Sequence, residues 1–98
     1  MLTASNLIDN TFLRQYEIKA GNEMATIEYS KQERKIFLTK IFIPENVSKD
    51  EFSEKFISEV LEIIKERSIS VVPTAAIITK FIRKNRRYKS LLPVGIRI

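Results

Sequence analysis

Alternating apolar and polar residues in the first third of the chain predict a β-hairpin. From Phe12 to Ala20 every second residue falls on the inner face of a half-buried strand. Gly21 and Asn22 form a two-residue turn signal, because glycine supplies the positive φ that such turns need. The inner residues of the return strand are then Ala25, Ile27 and Tyr29. Residues 1–10 are polar and are predicted to fray.

The middle of the chain predicts a central strand followed by a long helix. After a polar turn at residues 31–33, residues 35–43 are apolar on both faces, as in a strand with neighbours on either side. Ser48 and Glu51 have the spacing of a capping box, which predicts a helix that begins there and ends near Arg67. The inner face of this helix repeats at helical spacing through Phe52, Phe56, Ile57, Val60, Leu61 and Ile64.

The last third predicts a short strand, a second helix and a tail. Residues 69–72 are rich in β-branched side chains and are followed by Pro73, and Thr74 is placed to cap a helix. The predicted inner residues of that helix are Ile77, Ile78, Phe81 and Ile82. Residues 93–98 alternate like a strand, so we expect them to pair with the edge of residues 69–72, in the same chain or in a homodimer.

Composition removes several kinds of chemistry. The 98 residues include neither cysteine nor histidine, so thiolate nucleophiles, disulfides and the commonest metal ligands are absent, and no metal site is expected. Proton transfer is left to Glu, Asp, Lys, Tyr or water. The length suits a single domain over residues 1–98. No apolar run reaches the roughly 20 residues of a membrane span, so we expect a cytoplasmic protein without membrane contact.

The net charge of +5 lies in the second half of the chain, because residues 1–50 carry seven basic and seven acidic side chains. No acidic residue follows Glu66. A basic patch is formed by Lys80, Arg83, Lys84, Arg86, Arg87 and Lys89. Such a patch is either a solvated helix face or a surface for an anionic partner, such as the phosphates of CoA or of a nucleic acid. Apart from Phe81, which is predicted to face inward, Tyr88 is the one aromatic residue within it, whereas stacking platforms for bases need several.

Residues from about 12 to 92 resemble the small, single-domain GNAT-like N-acetyltransferases. The segments that carry the resemblance are Phe12–Ile18, Leu38–Pro44, Val71–Ala75, and Phe81–Asn85 followed by Tyr88. The resemblance implies an α+β fold with a mixed, mostly antiparallel sheet. It further implies a splayed pair of strands on either side of the long helix, and a short C-terminal helix. In that family the pantetheine arm of acetyl-CoA lies in the split between the two strands, and the pyrophosphate sits at the helix start.

Carried over to this chain, the resemblance implies that acetyl-CoA or CoA would contact Ile41, Ile43, Ser48, Lys49, Asp50 and Glu51. The family's Arg-Gly-x-Gly stretch aligns with Ser48–Glu51, which has no glycine. Glycine matters there because a phosphate that touches consecutive backbone N–H groups leaves no room for a Cβ. Two carboxylates, Asp50 and Glu51, also place negative charge beside the expected anion.

The catalytic positions of the family are also changed. Lys40 stands where the family usually has histidine, and Ala75 stands where it has cysteine. Lys40 would act as a base only if burial lowered its pKa. Tyr88 or Tyr29 would be the remaining candidates for an acid or for a residue that anchors water. We expect Lys40, Ala75 and Tyr88 to lie at the cleft, and Lys40 and Ala75 to face it together without forming a catalytic pair.

Three functional interpretations follow. The first is a degenerate GNAT-fold protein that has weak or lost acetyl-CoA catalysis and now acts by binding. The second is an active acetyl-CoA-dependent N-acetyltransferase that works without cysteine or histidine, since an amine can attack the thioester directly. The third is a small basic module for nucleic-acid binding or assembly.

Overall fold

The computed structural model of the protein describes residues 7–96 and residue 98. Its elements, in chain order, are β1 (Ile8–Asn10), β2 (Gln15–Ala20), β3 (Glu23–Gln32), β4 (Lys35–Phe42), α1 (Lys49–Glu66), β5 (Ser70–Pro73), α2 (Ala76–Lys84) and a 3₁₀ helix (Arg86–Leu91).

In this part of the chain the sheet has five strands, which follow one another in chain order. The first four pair antiparallel, and β5 pairs parallel with β4 after the crossover through α1. The predicted α+β fold with a mixed, mostly antiparallel sheet, a long helix and a short C-terminal helix is confirmed.

The core lies on one face of the sheet. Cross-strand partners such as Tyr16 and Ile27 are both buried, because directly opposed residues of an antiparallel pair share a face. Both helices pack against this face through residues at helical spacing. These residues are Phe56, Ile57, Val60, Leu61 and Ile64 of α1, and Ile78, Phe81 and Ile82 of α2. The predicted inner face of α1 is confirmed, with Phe52 at its partly buried edge.

The predicted Gly21–Asn22 hairpin is confirmed by the pairing of Ala20 with Glu23. Gly21 has a φ of 69°, in the left-handed region that favours glycine. A Cβ at this position would also overlap the amide of Asn46, whose Nδ2 donates to the carbonyl of Ala20 at 3.0 Å. The hairpin is thereby fastened to the loop that leads into α1.

The strands β4 and β5 splay apart, as the resemblance implied. Their pairing ends where Leu38 lies beside Pro73, and β4 continues to Phe42 with β3 as its one partner among the described residues. Proline has no N–H to extend the ladder, and the chain turns into α2. The carbonyl of Leu38 accepts hydrogen bonds from the Thr74 N–H at 3.0 Å, from the Thr74 hydroxyl at 3.1 Å and from the Ala75 N–H at 3.2 Å.

The start of the sheet differs from the prediction. The strand expected from Phe12 begins at Gln15, since residues 11–14 form a turn in which Arg14 has a φ of 58°. Phe12 is therefore 91% exposed rather than on the inner face. Part of the segment expected to fray forms β1, which pairs with β2. Residues 1–6 lie outside the described residues.

An aspartate explains why β1 is ordered. The Asp9 carboxylate accepts a hydrogen bond from the Tyr29 hydroxyl at 2.5 Å and an ion-pair contact from Arg67 at 3.3 Å. Asp9 thus joins the edge strand to β3 and to the C-terminal end of α1. These polar contacts of Asp9 could not be predicted from the local pattern of apolar residues.

Four smaller differences have local causes. The polar turn predicted at 31–33 lies at residues 33–34, where Glu33 takes a φ of 53° and Gln32 pairs with Lys35. Neither Ser48 nor Thr74 caps a helix through its side chain, although Ser48 is the N-cap residue of α1. Thr74 bonds the Leu38 carbonyl instead. Ile77 is 44% exposed, in contrast to its predicted inner position.

The described part of the predicted tail strand is not a strand. Pro93 and Ile96 are joined by a backbone hydrogen bond of 3.1 Å, which closes a turn around Gly95 with a φ of 94°. Val94 is fully exposed. The turn breaks the extended conformation that alternation predicted, and Arg97 lies outside the described residues.

Candidate functional site

A groove of about 390 Å³ lies between the first half of α1 and α2, at the end of β4. Its apolar surface is formed by Ile43, Ile57, Ile77 and Phe81. Its polar surface is formed by Lys49, Asp50, Ser53, Glu54, Lys80 and Lys84. The groove therefore combines an apolar surface with three ammonium groups and two carboxylates.

Helical spacing explains how α1 contributes to the groove. Ser53 and Glu54 lie three and four residues after Asp50, and Ile57 lies four and three residues after them, so these residues share one side of the helix. Ile57 belongs to the buried core, and the three polar residues continue that side toward the helix start. Ser53 is buried, and its hydroxyl donates to the Asp50 carbonyl at 3.2 Å.

The helix start leaves backbone donors available. Among the described atoms the Ser48 hydroxyl makes no capping bond, while its carbonyl accepts the N–H of Phe52 at 2.9 Å. The first N–H groups of a helix carry partial positive charge and attract anions. The expected capping-box bond, which would have occupied one of these donors, is therefore not made.

An ion pair crosses the groove. The Lys84 ammonium donates to a Glu54 carboxylate oxygen at 3.0 Å and so links α2 to α1. The side chains are 72% and 50% exposed, so water screens their attraction. The contact therefore contributes little to stability.

The splayed part of β4 offers a second surface. Its residues 39–42 have no partner on the β5 side among the described residues. On its other side β4 pairs with β3, and a register shift at Glu28 and Tyr29 of β3 leaves Thr39 without a cross-strand partner there. A β-bulge of this kind bends a strand and redirects its side chains.

Of the predicted cofactor contacts, Ile43, Lys49 and Asp50 line the groove. Ile41 packs against the core from the splayed part of β4. Ser48 and Glu51 lie at the helix start but are not among the lining residues. The structure thus brings together three of the six positions that the resemblance implied.

The basic patch divides in two. Lys80 and Lys84 line the groove, and Arg83 is exposed elsewhere on α2. Arg86, Arg87 and Lys89 belong to the 3₁₀ helix and are not among the lining residues. These six side chains therefore do not converge on one site.

Lys40 and Ala75 lie near the point where β4 and β5 separate, on opposite faces of the sheet. Lys40 is exposed and lies opposite Glu28, which alternates with the buried Ile27 and Tyr29. Ala75 packs against the core cluster. Their arrangement differs from the expectation of one shared cleft, and neither residue lines the groove.

Tyr88 is a structural contact between α1 and the 3₁₀ helix. Its hydroxyl donates to the Glu62 carboxylate at 2.8 Å and accepts from Arg87 at 3.0 Å. The Arg87 guanidinium lies 4.8 Å from the ring centroid. Burial, and then the Glu62 carboxylate, raise the pKa of Tyr88. The residue is 2% exposed and does not line the groove.

Tyr29, the other tyrosine considered as an acid, donates its hydroxyl hydrogen bond to Asp9 and so holds β1 to β3. Burial raises the pKa of its hydroxyl, and the hydrogen bond to Asp9 raises it further. Its ring centroid lies 5.1 Å from that of Tyr16. Tyr29 also does not line the groove.

Sequence reasoning missed five groove residues: Ser53, Glu54, Ile57, Ile77 and Phe81. Ile57, Ile77 and Phe81 were predicted to lie on inner helix faces, and Ser53 and Glu54 were not among the predicted site residues. The available signal was that residues 50, 53, 54 and 57 share one side of the helix. Nothing local indicated that this side meets α2.

Within residues 7–96 and 98, no group of three or more acidic side chains is arranged to hold a metal ion. In the same part of the chain, every helix is too short or too polar to cross a bilayer.

The mixed five-stranded sheet with its two helices places the protein in the class of small α+β folds, and a sequence comparison identifies the family. The model for the GCN5-related N-acetyl-transferase family matches residues 15–91. The chain belongs to this family. No curated protein sequence matches it. The match begins at the first residue of β2, so β1 lies before the matched region.

Replacing Lys40 should have little effect, because the side chain is exposed and faces away from the groove. We expect Lys40→Ala to change the free energy of unfolding by no more than about 0.5 kcal/mol. Acetyl-CoA affinity should be unchanged in isothermal titration. Loss of a measurable acetyl transfer in a folded Lys40→Ala variant would instead identify Lys40 as catalytic.

Proposed function

We propose that this protein is a GNAT-fold binding protein in which acetyl-CoA catalysis is weak or lost. The observation that carries the proposal is the composition of the groove. Its polar side chains are lysines, carboxylates and one serine, in a sequence without histidine or cysteine. None of the side chains considered for proton transfer, Lys40, Tyr29 and Tyr88, lines it.

Weak cofactor binding follows from the helix start. Asp50 and Glu51 place two carboxylates in the first turn of α1, where a pyrophosphate would need positive potential. The absence of glycine in Ser48–Glu51 keeps side chains near the backbone N–H groups. Lys49, Lys80 and Lys84 oppose this effect in part. We therefore expect CoA itself to be a poor ligand.

Isothermal titration with acetyl-CoA tests the proposal. We expect weak binding or none, together with no acetyl transfer to amine substrates above the uncatalysed rate. A dissociation constant in the low micromolar range, about −8 kcal/mol of binding free energy, would contradict it. Clear catalytic turnover would contradict it independently of affinity.

A second candidate is an active N-acetyltransferase that uses direct attack by an unprotonated amine. It is favoured by the free N–H groups at the helix start and by the unpaired edge of β4, which both resemble features of a cofactor site. In this case acetyl transfer should rise with pH as the acceptor amine loses its proton. The rise should follow the pKa of the acceptor and not that of a protein group.

The basic patch supports an anionic partner less strongly. Its members are split between the groove and the 3₁₀ helix, and the ring of Tyr88 is buried and covered by Arg87. A short nucleic-acid duplex added to the same titrations tests this candidate, since specific use of the patch requires affinity that falls steeply with salt. A homodimer and a cytoplasmic location remain predictions.

A further inference from the structure

The Glu54–Lys84 ion pair links the two helices that form the groove. Glu54 lies in the second turn of α1, and Lys84 is the last residue of α2. The distance between ammonium and carboxylate oxygen is 3.0 Å. Both side chains line the groove, so any ligand that lies between the helices at this point meets the pair.

The pair changes the charge that the groove presents. Lys49, Lys80 and Lys84 all line it, and of these only Lys84 has a carboxylate partner among the described residues. Glu54 therefore neutralises one of three cations. It also supplies one of the two carboxylates on the groove surface, the other being Asp50.

We propose that Glu54 is a specificity-determining residue that selects against phosphorylated ligands in the groove. A phosphate that approaches Lys84 either competes with the Glu54 carboxylate for the ammonium or lies beside that carboxylate, and in both cases the negative charge of Glu54 repels the anion. An uncharged ligand of the same shape meets no such penalty. This inference rests on the proposed function, because it explains why a groove with three lysines holds CoA weakly.

The test compares CoA with pantetheine, which keeps the uncharged arm and lacks the phosphates. Glu54→Gln removes the charge with almost no change in shape and frees Lys84. We expect CoA affinity to rise about threefold to fivefold, the size of effect expected for a partly exposed ion pair. Pantetheine affinity should not change. At about 1 M salt the gain should disappear, because the screening length falls to about 3 Å.

Two further variants show whether the effect belongs to the pair. Glu66→Gln is the matched control, since it removes the same charge from α1 at an exposed position that is far from the helix start and does not line the groove. It should raise CoA affinity less than Glu54→Gln does. In a Lys84→Gln background the gain from Glu54→Gln should shrink to that of the control. Circular dichroism and thermal unfolding confirm that each variant is folded.

Several outcomes would overturn the inference. Equal gains from Glu66→Gln and Glu54→Gln would show a general charge effect, and an equal gain for pantetheine would show that phosphate is not what Glu54 opposes. Failure of Glu54→Gln to bind CoA better than wild type also overturns it. Where wild-type binding is too weak to measure, measurable binding by Glu54→Gln and not by Glu66→Gln supports it.

The inference and the proposed function fail separately. Tight acetyl-CoA binding or turnover by the wild type contradicts the proposed function, yet leaves the comparison of the two glutamate variants valid. Conversely, equal behaviour of the two variants contradicts the role of Glu54 while wild-type binding stays weak.

Discussion

Replacing Ser48-Lys49-Asp50-Glu51 by Arg-Gly-Lys-Gly should raise acetyl-CoA affinity at least tenfold, equivalent to about 1.4 kcal/mol. The change removes both carboxylates from the first turn of α1 and, because Lys49 is lost while two cations are added, gives a net gain of one cation. The glycines let a phosphate approach backbone N–H groups whose donors are not capped by Ser48. Isothermal titration of the variant and the wild type measures the gain.

The cost of this change should come from the glycines. Each glycine in a helix lowers stability by about 1 kcal/mol relative to a good helix former. Loss of Ser48 should add little, because its hydroxyl makes no capping bond. The double change Ser48→Arg and Asp50→Lys is the control, since it alters the charge and keeps Lys49 and Glu51. An affinity gain as large in the control would show that close approach to the backbone is not needed.

The helix α1 was predictable because its pattern is local. Phe56 and Ile64 recur at helical spacing, and the same residues are fully buried against the sheet. The hairpin at Gly21 was predictable for the same reason, since the turn needs a positive φ at one position. In both cases a short stretch of sequence contains the physical cause of the structure.

The ends of the chain were not predictable from local pattern. The strand β1 depends on Asp9, whose partners Tyr29 and Arg67 lie 20 and 58 residues away in sequence. The tail alternates like a strand, but Gly95 takes a φ of 94° and the chain turns. Alternation predicts an extended segment only where a neighbouring strand has room for it.

The position of Lys40 shows how one bulge changes a site. Ile36 and Leu38 are buried, so strict alternation along β4 would turn residue 40 toward the core face. Because Thr39 has no cross-strand partner, the alternation of buried and exposed residues along the strand shifts by one position. Lys40 is therefore exposed, and Ile43 is buried. When the sequence of the family is aligned to this chain without gaps, the alignment does not show this one-residue shift in β4.

Alkaline pH should unfold the protein in one cooperative step, because all three tyrosines resist ionisation in the folded state. Burial is the main cause at each position. It raises the pKa of Tyr16 to about 12, from an ordinary value of 10.0. The carboxylates of Asp9 and Glu62, bonded to Tyr29 and Tyr88, oppose the loss of those protons further.

The direction of the pH effect follows from these raised pKa values. Below about pH 10 the tyrosines are protonated in both folded and unfolded chains, so their contribution to stability is fully present. Above that pH the unfolded chain loses protons that the folded chain keeps. The free energy of unfolding then falls by up to about 1.4 kcal/mol per pH unit for each tyrosine. For Tyr16 the fall continues to about pH 12.

Tyrosinate absorbance and far-ultraviolet circular dichroism, recorded in one alkaline titration, test this expectation. Both signals should change together, since ionisation requires unfolding. Tyr16→Phe is the control: among the described residues its hydroxyl makes no hydrogen bond, so the substitution removes a titrating group without breaking a tether. Between pH 10 and 12 its unfolding free energy should fall less steeply than that of the wild type, by about 1.4 kcal/mol per pH unit. Tyrosinate that appears while the circular dichroism is still native would show that the buried hydroxyls are accessible in the folded protein, contrary to this account.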